Sequence, residues 1–251
     1  MSVYTTGLLW VGGAAVFASL LAYVIRKYGP DEGRSENNEA AGQVFTIVGG
    51  LQAVLVAFVL IALFDGVAAA GNASYEEADS LVAATWAGDA LGERTGDEVR
   101  RLSREYLETV VDEEWPRMRS GDESDDAGWS TLDRLRRVIA EAPATDAWLV
   151  DRKTEAADKL WQVYQARQTR LDSATEGVDA VVWFVLVMGG ILTIGLPLLF
   201  GGPLMRTHVI IVATLAATIT LLLYATYQLQ NPFGGGAELQ PDAFSAALSR
   251  L

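Results

Sequence analysis

The chain has 251 residues, a formal net charge of −13, 51% hydrophobic residues, a single histidine and no cysteine. The lack of cysteine excludes disulfides, thiolate chemistry and cysteine-ligated metal. The acidic balance argues against nucleic-acid binding, which relies on clustered Lys and Arg, and against docking onto anionic headgroups.

Four runs, 8–25, 44–64, 180–200 and 209–227, contain no Lys, Arg, Asp or Glu. A helix needs roughly 20 mostly apolar residues to cross the hydrocarbon, and backbone amides in lipid must be satisfied within the segment. The runs lack strand-like alternation and read as transmembrane helices. The first has no positive charge before it, and Arg26-Lys27 follow it. That polarity is wrong for a signal peptide and fits a retained helix pinned at the interface by Arg26, Lys27 and Tyr28.

A polar loop, 26–43, leads to the second helix. Asn38, Gly42, Phe45, Gly49 and Gln52 fall on one stripe there, at steps of three and four. Gln52 is a polar side chain at membrane depth, so it should face another helix or water. Gly49 and Gly50 permit close backbone approach. Two readings stay open, helix packing through an interhelical hydrogen bond and a pore-lining stripe of Asn38, Phe45, Gly49 and Gln52. The Ala-rich stretch 66–86 extends this helix.

Residues 72–178 carry 24 Asp or Glu against 14 Lys or Arg, most of the acidity of the chain. Apolar residues recur at helical spacing at Val99, Leu102, Tyr106, Val110 and Val111, at Trp129, Leu132, Leu135 and Ile139, and at Leu160, Trp161, Tyr164 and Leu171. Thr145-Asp146 is a helix start. The stretch 120–128 has no apolar residue larger than alanine and reads as a loop. Asp112-Glu113-Glu114 splay around a helix and read as a solvated face.

In the third run Pro197 is expected to kink the helix and free the Thr193 carbonyl. Gly201-Gly202-Pro203 turns the chain into the fourth run, with His208 at its mouth as an interface residue. Residues 231–251 form a tail. Flanking charges do not settle the orientation, because Arg26, Lys27, Arg34 and Arg206 balance Lys159, Arg167, Arg170 and Arg250, although the short loops lean toward the cytoplasm themselves. No nucleotide loop, nucleophile elbow or metalloprotease motif occurs, so neither an enzyme nor a cofactor or metal site is expected.

Asn38-Glu39-Ala40-Ala41-Gly42, Phe45, Val48-Gly49 and 53–58 resemble the signature of the bacterial bestrophin-like membrane proteins. The similarity continues through Glu77-Ala78, Leu81, Tyr106, Val110-Val111, Glu114-Trp115-Pro116, Arg167, Arg170-Leu171 and Trp183. It ends with Asn231-Pro232-Phe233, Pro241 and Phe244. One departure is Gln52, where the family commonly carries an aromatic residue. The resemblance implies a ring-shaped homo-oligomer, a pentamer by analogy, conducting inorganic ions along its axis with the second helix lining the pore. It also implies packing roles for Tyr106, Glu114, Trp115, Pro116, Asn231, Pro232 and Phe233, and a cytoplasmic place for the large segment.

The expected fold is thus an all-α integral membrane protein of bestrophin-like architecture, with a large helical extramembrane insert between the second and third of four transmembrane helices. Its parts are 1–71 (helices one and two), 72–178 (acidic helical segment), 179–230 (helices three and four) and 231–251 (tail). The expected function is an anion-conducting homo-oligomeric channel in the cell membrane. A cation channel, or a non-conducting sensor or scaffold whose acidic segment recruits a partner, are the alternatives.

Overall fold

A computed structural model describes residues 2–28, 38–122, 126–175, 177–199 and 204–251. Among the described residues every regular element is helical, without strands. The helices are α1 (Val3–Tyr28), α2 (Asn38–Asp89), α3 (Glu93–Thr109), α4 (Trp115–Ser120), α5 (Ala127–Glu141), α6 (Ala147–Thr175), α7 (Ala180–Gly195), α8 (Met205–Leu229) and α9 (Asp242–Leu248). A π-helical segment, Val110–Glu114, joins α3 to α4, and a 3₁₀ turn, Leu196–Leu199, follows α7. Among these residues four helical stretches are long and apolar enough to cross a membrane.

The chain divides into two compact units. The first comprises Met1–Leu63 and Val178–Gln230, the second Phe64–Gly177 and Asn231–Leu251. α2 is one unbroken helix of 52 residues that contributes to both, so the stretch 66–86 continues the second apolar run as helix.

In the first unit α1 packs on α8 through small residues. A Cβ on Gly7 would sit 2.7 Å from Cε1 of Tyr224, and the Tyr224 hydroxyl donates to the Val3 carbonyl at 2.6 Å. Ala18, Ala22, Leu198, Val212 and Ala216 form its core. At the start of α7, Trp183 Nε1 donates to Gln230 Oε1 at 2.9 Å. The 3₁₀ turn changes the reading of Pro197: the α-helix ends at Gly195 rather than kinking. Proline has no N–H, and its ring crowds the Thr193 carbonyl, so the chain tightens instead of continuing. The glycine turn 201–203 and residues 29–37 of the expected loop 26–43 lie outside the described residues, while 26–28 end α1 and 38–43 begin α2.

In the second unit α3, α5, α6 and the end of α2 surround a core of Leu81, Val82, Val99, Leu102, Tyr106, Leu132, Leu135, Ile139, Leu160 and Val163. The stripes of α3 and α5 point into it as their spacing requires. On α6 the inward stripe is instead Leu160, Val163, Arg167 and Arg170, and Trp161 is exposed. α6 starts as expected: Asp146 Oδ1 accepts a hydrogen bond from Leu149 N at 2.9 Å, an N-cap. α6 does not run into α7, because Asp179 is extended with φ −54° and ψ 145°. The loop 120–128 is described only at its ends. There Gly121 closes α4 with φ 80°, which glycine adopts without steric cost.

The C-terminal residues are part of this second core. Asn231 Oδ1 accepts from Phe233 N at 2.9 Å and Gly234 N at 3.2 Å, while its Nδ2 donates to the Met118 carbonyl at 2.9 Å. This asparagine-centred turn drives Phe233 into the interior, where Phe244 joins it.

Candidate functional site

On α2 in the first unit, Gln52 is buried and its Nε2 donates to the Leu186 carbonyl of α7 at 3.0 Å. Gly189 makes room for it, since a Cβ there would overlap Gln52 Oε1. Phe45, Gly49 and Gln52 share one groove of about 390 Å³ with Thr193, Leu215 and Ile219. Its walls are apolar because the threonine hydroxyls turn back on their own helices: Thr46 donates to Gly42, Thr193 to Gly189 and Thr218 to Thr214. Asn38, at the first turn of α2, is not part of this groove. The other side of α2 presents Ile47, Leu51, Val54, Phe58 and Ile61, all exposed.

The second unit holds a buried charge cluster built from four places in the chain. Glu77 comes from α2, Tyr106 from α3, Glu114 from the π segment, and Arg167 and Arg170 from α6. Each is at most 1% exposed. Arg170 grips Glu77 with Nε at 2.7 Å and Nη2 at 3.0 Å, and reaches Glu114 at 3.1 Å. Arg167 forms a two-pronged pair with Glu114, at 2.7 and 2.8 Å, and donates to the Tyr106 hydroxyl at 3.1 Å. That hydroxyl in turn donates to Glu77. The guanidiniums also stack: Arg167 lies 4.6 Å from the Trp129 ring and Arg170 5.3 Å from that of Phe244. Two carboxylates and two guanidiniums leave no net charge, the condition under which ionised groups tolerate burial.

The π segment sets this geometry. Leu102, Tyr106, Val110, Glu114 and Met118 are all buried at a constant step of four. A regular α-helix turns about 100° per residue, so each such step drifts by about 40° and Glu114 would lie about 80° from Tyr106. The wider turn, closed by Trp115 N–H to the Val110 carbonyl, absorbs one residue and returns Glu114 to the inward face. Pro116, exposed and without an N–H, suits such a break. Gly128 must lack a side chain, because a Cβ would overlap Glu114 Oε1 and crowd the Arg167 guanidinium. Trp115 completes the shell: its Nε1 donates to the Leu239 carbonyl at 3.1 Å, and its ring meets Phe233 edge-on at 5.0 Å.

Burial alone would raise the Glu114 carboxyl, but the hydrogen bonds and charge of Arg167, then of Arg170, outweigh it and hold the group below its ordinary value. Burial, and next the charge of Glu77, pushes the Tyr106 phenol well above its usual value. Every member is closed to solvent and paired, Arg167 through its Nη atoms while its buried Nε has no partner among the described residues, so the cluster acts as a node tying α2, α3, the π segment and α6 together.

Two expectations change here. Asp112 and Glu113 are exposed as a solvated run requires, but Glu114 is in the core. Arg167 and Arg170, which the sequence places among the charges flanking the third run, are buried partners of carboxylates and so cannot act as loop charges at a membrane face. The missed signal was charged residues falling on apolar stripes: Glu114 four after Val110, and Arg167 and Arg170 in register with Leu160 and Val163. Among the described residues no group of His, Asp and Glu is arranged to hold a metal ion.

Long apolar helices with few buried residues, beside a charged helical unit with its own core, define an all-helical, membrane-embedded protein. Residues 12–244 match the bestrophin-like domain, and the chain belongs to the bestrophin-like family. It is similar in fold to a crystal structure described as membrane protein P143A, with a TM-score of 0.68 and 14% identity over 98% of this chain and 97% of that one. No curated protein matches it.

Proposed function

We propose that this bestrophin-like protein is the subunit of a cyclic homo-oligomeric ion channel, a pentamer by analogy with its family. In this reading the channel sits in the cell membrane, α2 lines the conduction path, α3 to α6 form an extramembrane body in the cytoplasm, and anions are preferred to cations. The observation that supports it is the α2 stripe of Ile47, Leu51, Val54, Phe58 and Ile61, which is exposed while Gln52 faces α7. Four helices do not enclose a wide pore in one copy, so a conducting path needs several copies about an axis. The Gln52 hydrogen bond favours the packing reading for the Asn38–Phe45–Gly49–Gln52 stripe and leaves the exposed stripe as the better candidate for the path.

The test is flux in liposomes under chloride and potassium gradients, with native mass spectrometry of the same sample. Chloride-selective flux from a ring supports the proposal. Potassium-selective flux replaces the anion channel by a cation channel. A ring without flux favours a scaffold. Phe58→Ala is expected to change conductance or selectivity. Gln52→Leu is expected to weaken α2–α7 packing, by about 1 kcal/mol for the lost hydrogen bond, and to leave selectivity unchanged. If only Gln52→Leu or Gln52→Glu alters selectivity in intact rings, the path lies on the first stripe. For placement, an Asp122→Cys variant should resist an impermeant thiol reagent outside intact cells, and labelling from outside would reverse it.

A further inference from the structure

Two aromatic faces stand out on the second unit. One is a groove of about 600 Å³ between α5 and α6, lined by Val150, Ala157, Trp161 and Tyr164 with two cations, Arg136 and Lys153. The Trp161 and Tyr164 rings stack along its wall with centroids 6.3 Å apart, and Trp161 is 62% exposed. Lys153 donates to the Ala140 and Ala142 carbonyls at 2.6 and 2.9 Å, which leaves the third donor of its ammonium. The other face is a stripe of α2, Tyr75, Asp79, Ala83 and Trp86, with Glu76 beside it. Tyr75 and Trp86 are more than half exposed, and Arg250 pairs with Asp79 at 2.7 Å and lies 5.3 Å from the Trp86 ring.

We infer that the α5–α6 groove receives the Tyr75–Trp86 stripe of a second copy of this chain. The inference rests on the oligomeric reading above and deepens it by naming the two surfaces. Exposed aromatic faces on an otherwise charged body mark interaction sites. The faces are complementary: a concave apolar groove carrying Lys153 and Arg136, the latter 3.7 Å from its own Asp133, and a ridge of two aromatic residues flanked by the carboxylate of Glu76, Asp79 being already paired with Arg250. A closed ring of identical subunits requires such a head-to-tail pair of different surfaces on each copy, and every copy carries both. Glu76 opposite the groove cations sets the register, and aromatic side chains seated in a groove carry the binding.

The chain has no native cysteine, which gives a clean crosslinking background. A chain carrying both Ala83→Cys and Ala157→Cys should, on oxidation, give a ladder of covalent multimers ending at the ring size. Each single variant should stay uncrosslinked, and a mixture of the two should stop at dimers. Arg136→Glu should weaken the ladder about tenfold or more, since like charges then face each other. Adding Glu76→Arg in the same chain should restore it, with the helical circular dichroism unchanged throughout. Crosslinking of Ala157→Cys with itself would overturn the inference, as would loss of the ladder without restoration. Intact rings by native mass spectrometry with no ladder from the double variant would overturn the surfaces and leave the channel reading standing. Monomers alone in the unmodified protein would overturn both.

Discussion

Arg170 shows how little freedom a buried charge has. Its guanidinium meets Glu77 and Glu114 and has no exposed surface. Arg170→Met would leave two carboxylates facing one remaining guanidinium, that of Arg167. Removing one partner of a buried pair costs about 3–5 kcal/mol, because the other charge is stranded. The expected outcome is a large drop in the unfolding midpoint of the detergent-solubilised protein. Adding Glu77→Gln should recover part of the loss, because the stranded charge goes with it. An unchanged midpoint in Arg170→Met would mean that the cluster is open to water. Arg170→Lys should not rescue, since a lysine cannot reproduce the planar, two-pronged grip on Glu77.

Helix ends carry smaller and more separable energies. Asp146 caps α6 through its side chain, and Asp146→Ala should cost about 1 kcal/mol, read as a modest fall in the unfolding midpoint with the helical spectrum retained. The π segment is a different kind of feature, since besides placing Val110 and Glu114 in the core it resets the phase of a helix. It lets a residue eight positions after Tyr106 reach the same node, and the cluster depends on that phase. Pro197 likewise acts on the backbone, ending α7 at Gly195, where a 3₁₀ turn takes over. The break between α6 and α7 means that only the second apolar run continues into the second unit as one helix.

The whole molecule is acidic, and one of its buried carboxyls gives a defined response to acid. The Glu114 carboxyl is held low in the folded protein, so it binds a proton less readily there than in the unfolded chain. Its contribution is therefore fully present above the usual carboxylate value of about 4.3 and is lost as pH falls through the lower folded value. The unfolding midpoint should be insensitive to this group near neutral pH and fall below about pH 4. Glu114→Gln should be less stable at neutral pH and lose part of that acid dependence. A wild-type slope identical to the variant's would remove Glu114 from the acid response.

The sequence by itself determined the class of protein, because an uncharged run long enough to cross a bilayer is a local property that needs no partner. The helices of the second unit were legible in the same way from the spacing of their apolar residues, and the family from its Glu-Trp-Pro and Asn-Pro-Phe blocks. Tertiary structure alone decided what the polar residues do. Whether Glu114 faces water or a guanidinium depends on α6, and Arg170 finds Glu77 across 93 positions of chain. Whether Gln52 faces a pore or a neighbour depends on the carbonyl of Leu186 and on the space left by Gly189. Burying a polar group is tolerable only when its partner is supplied, and here those partners come from distant segments that only the fold brings together.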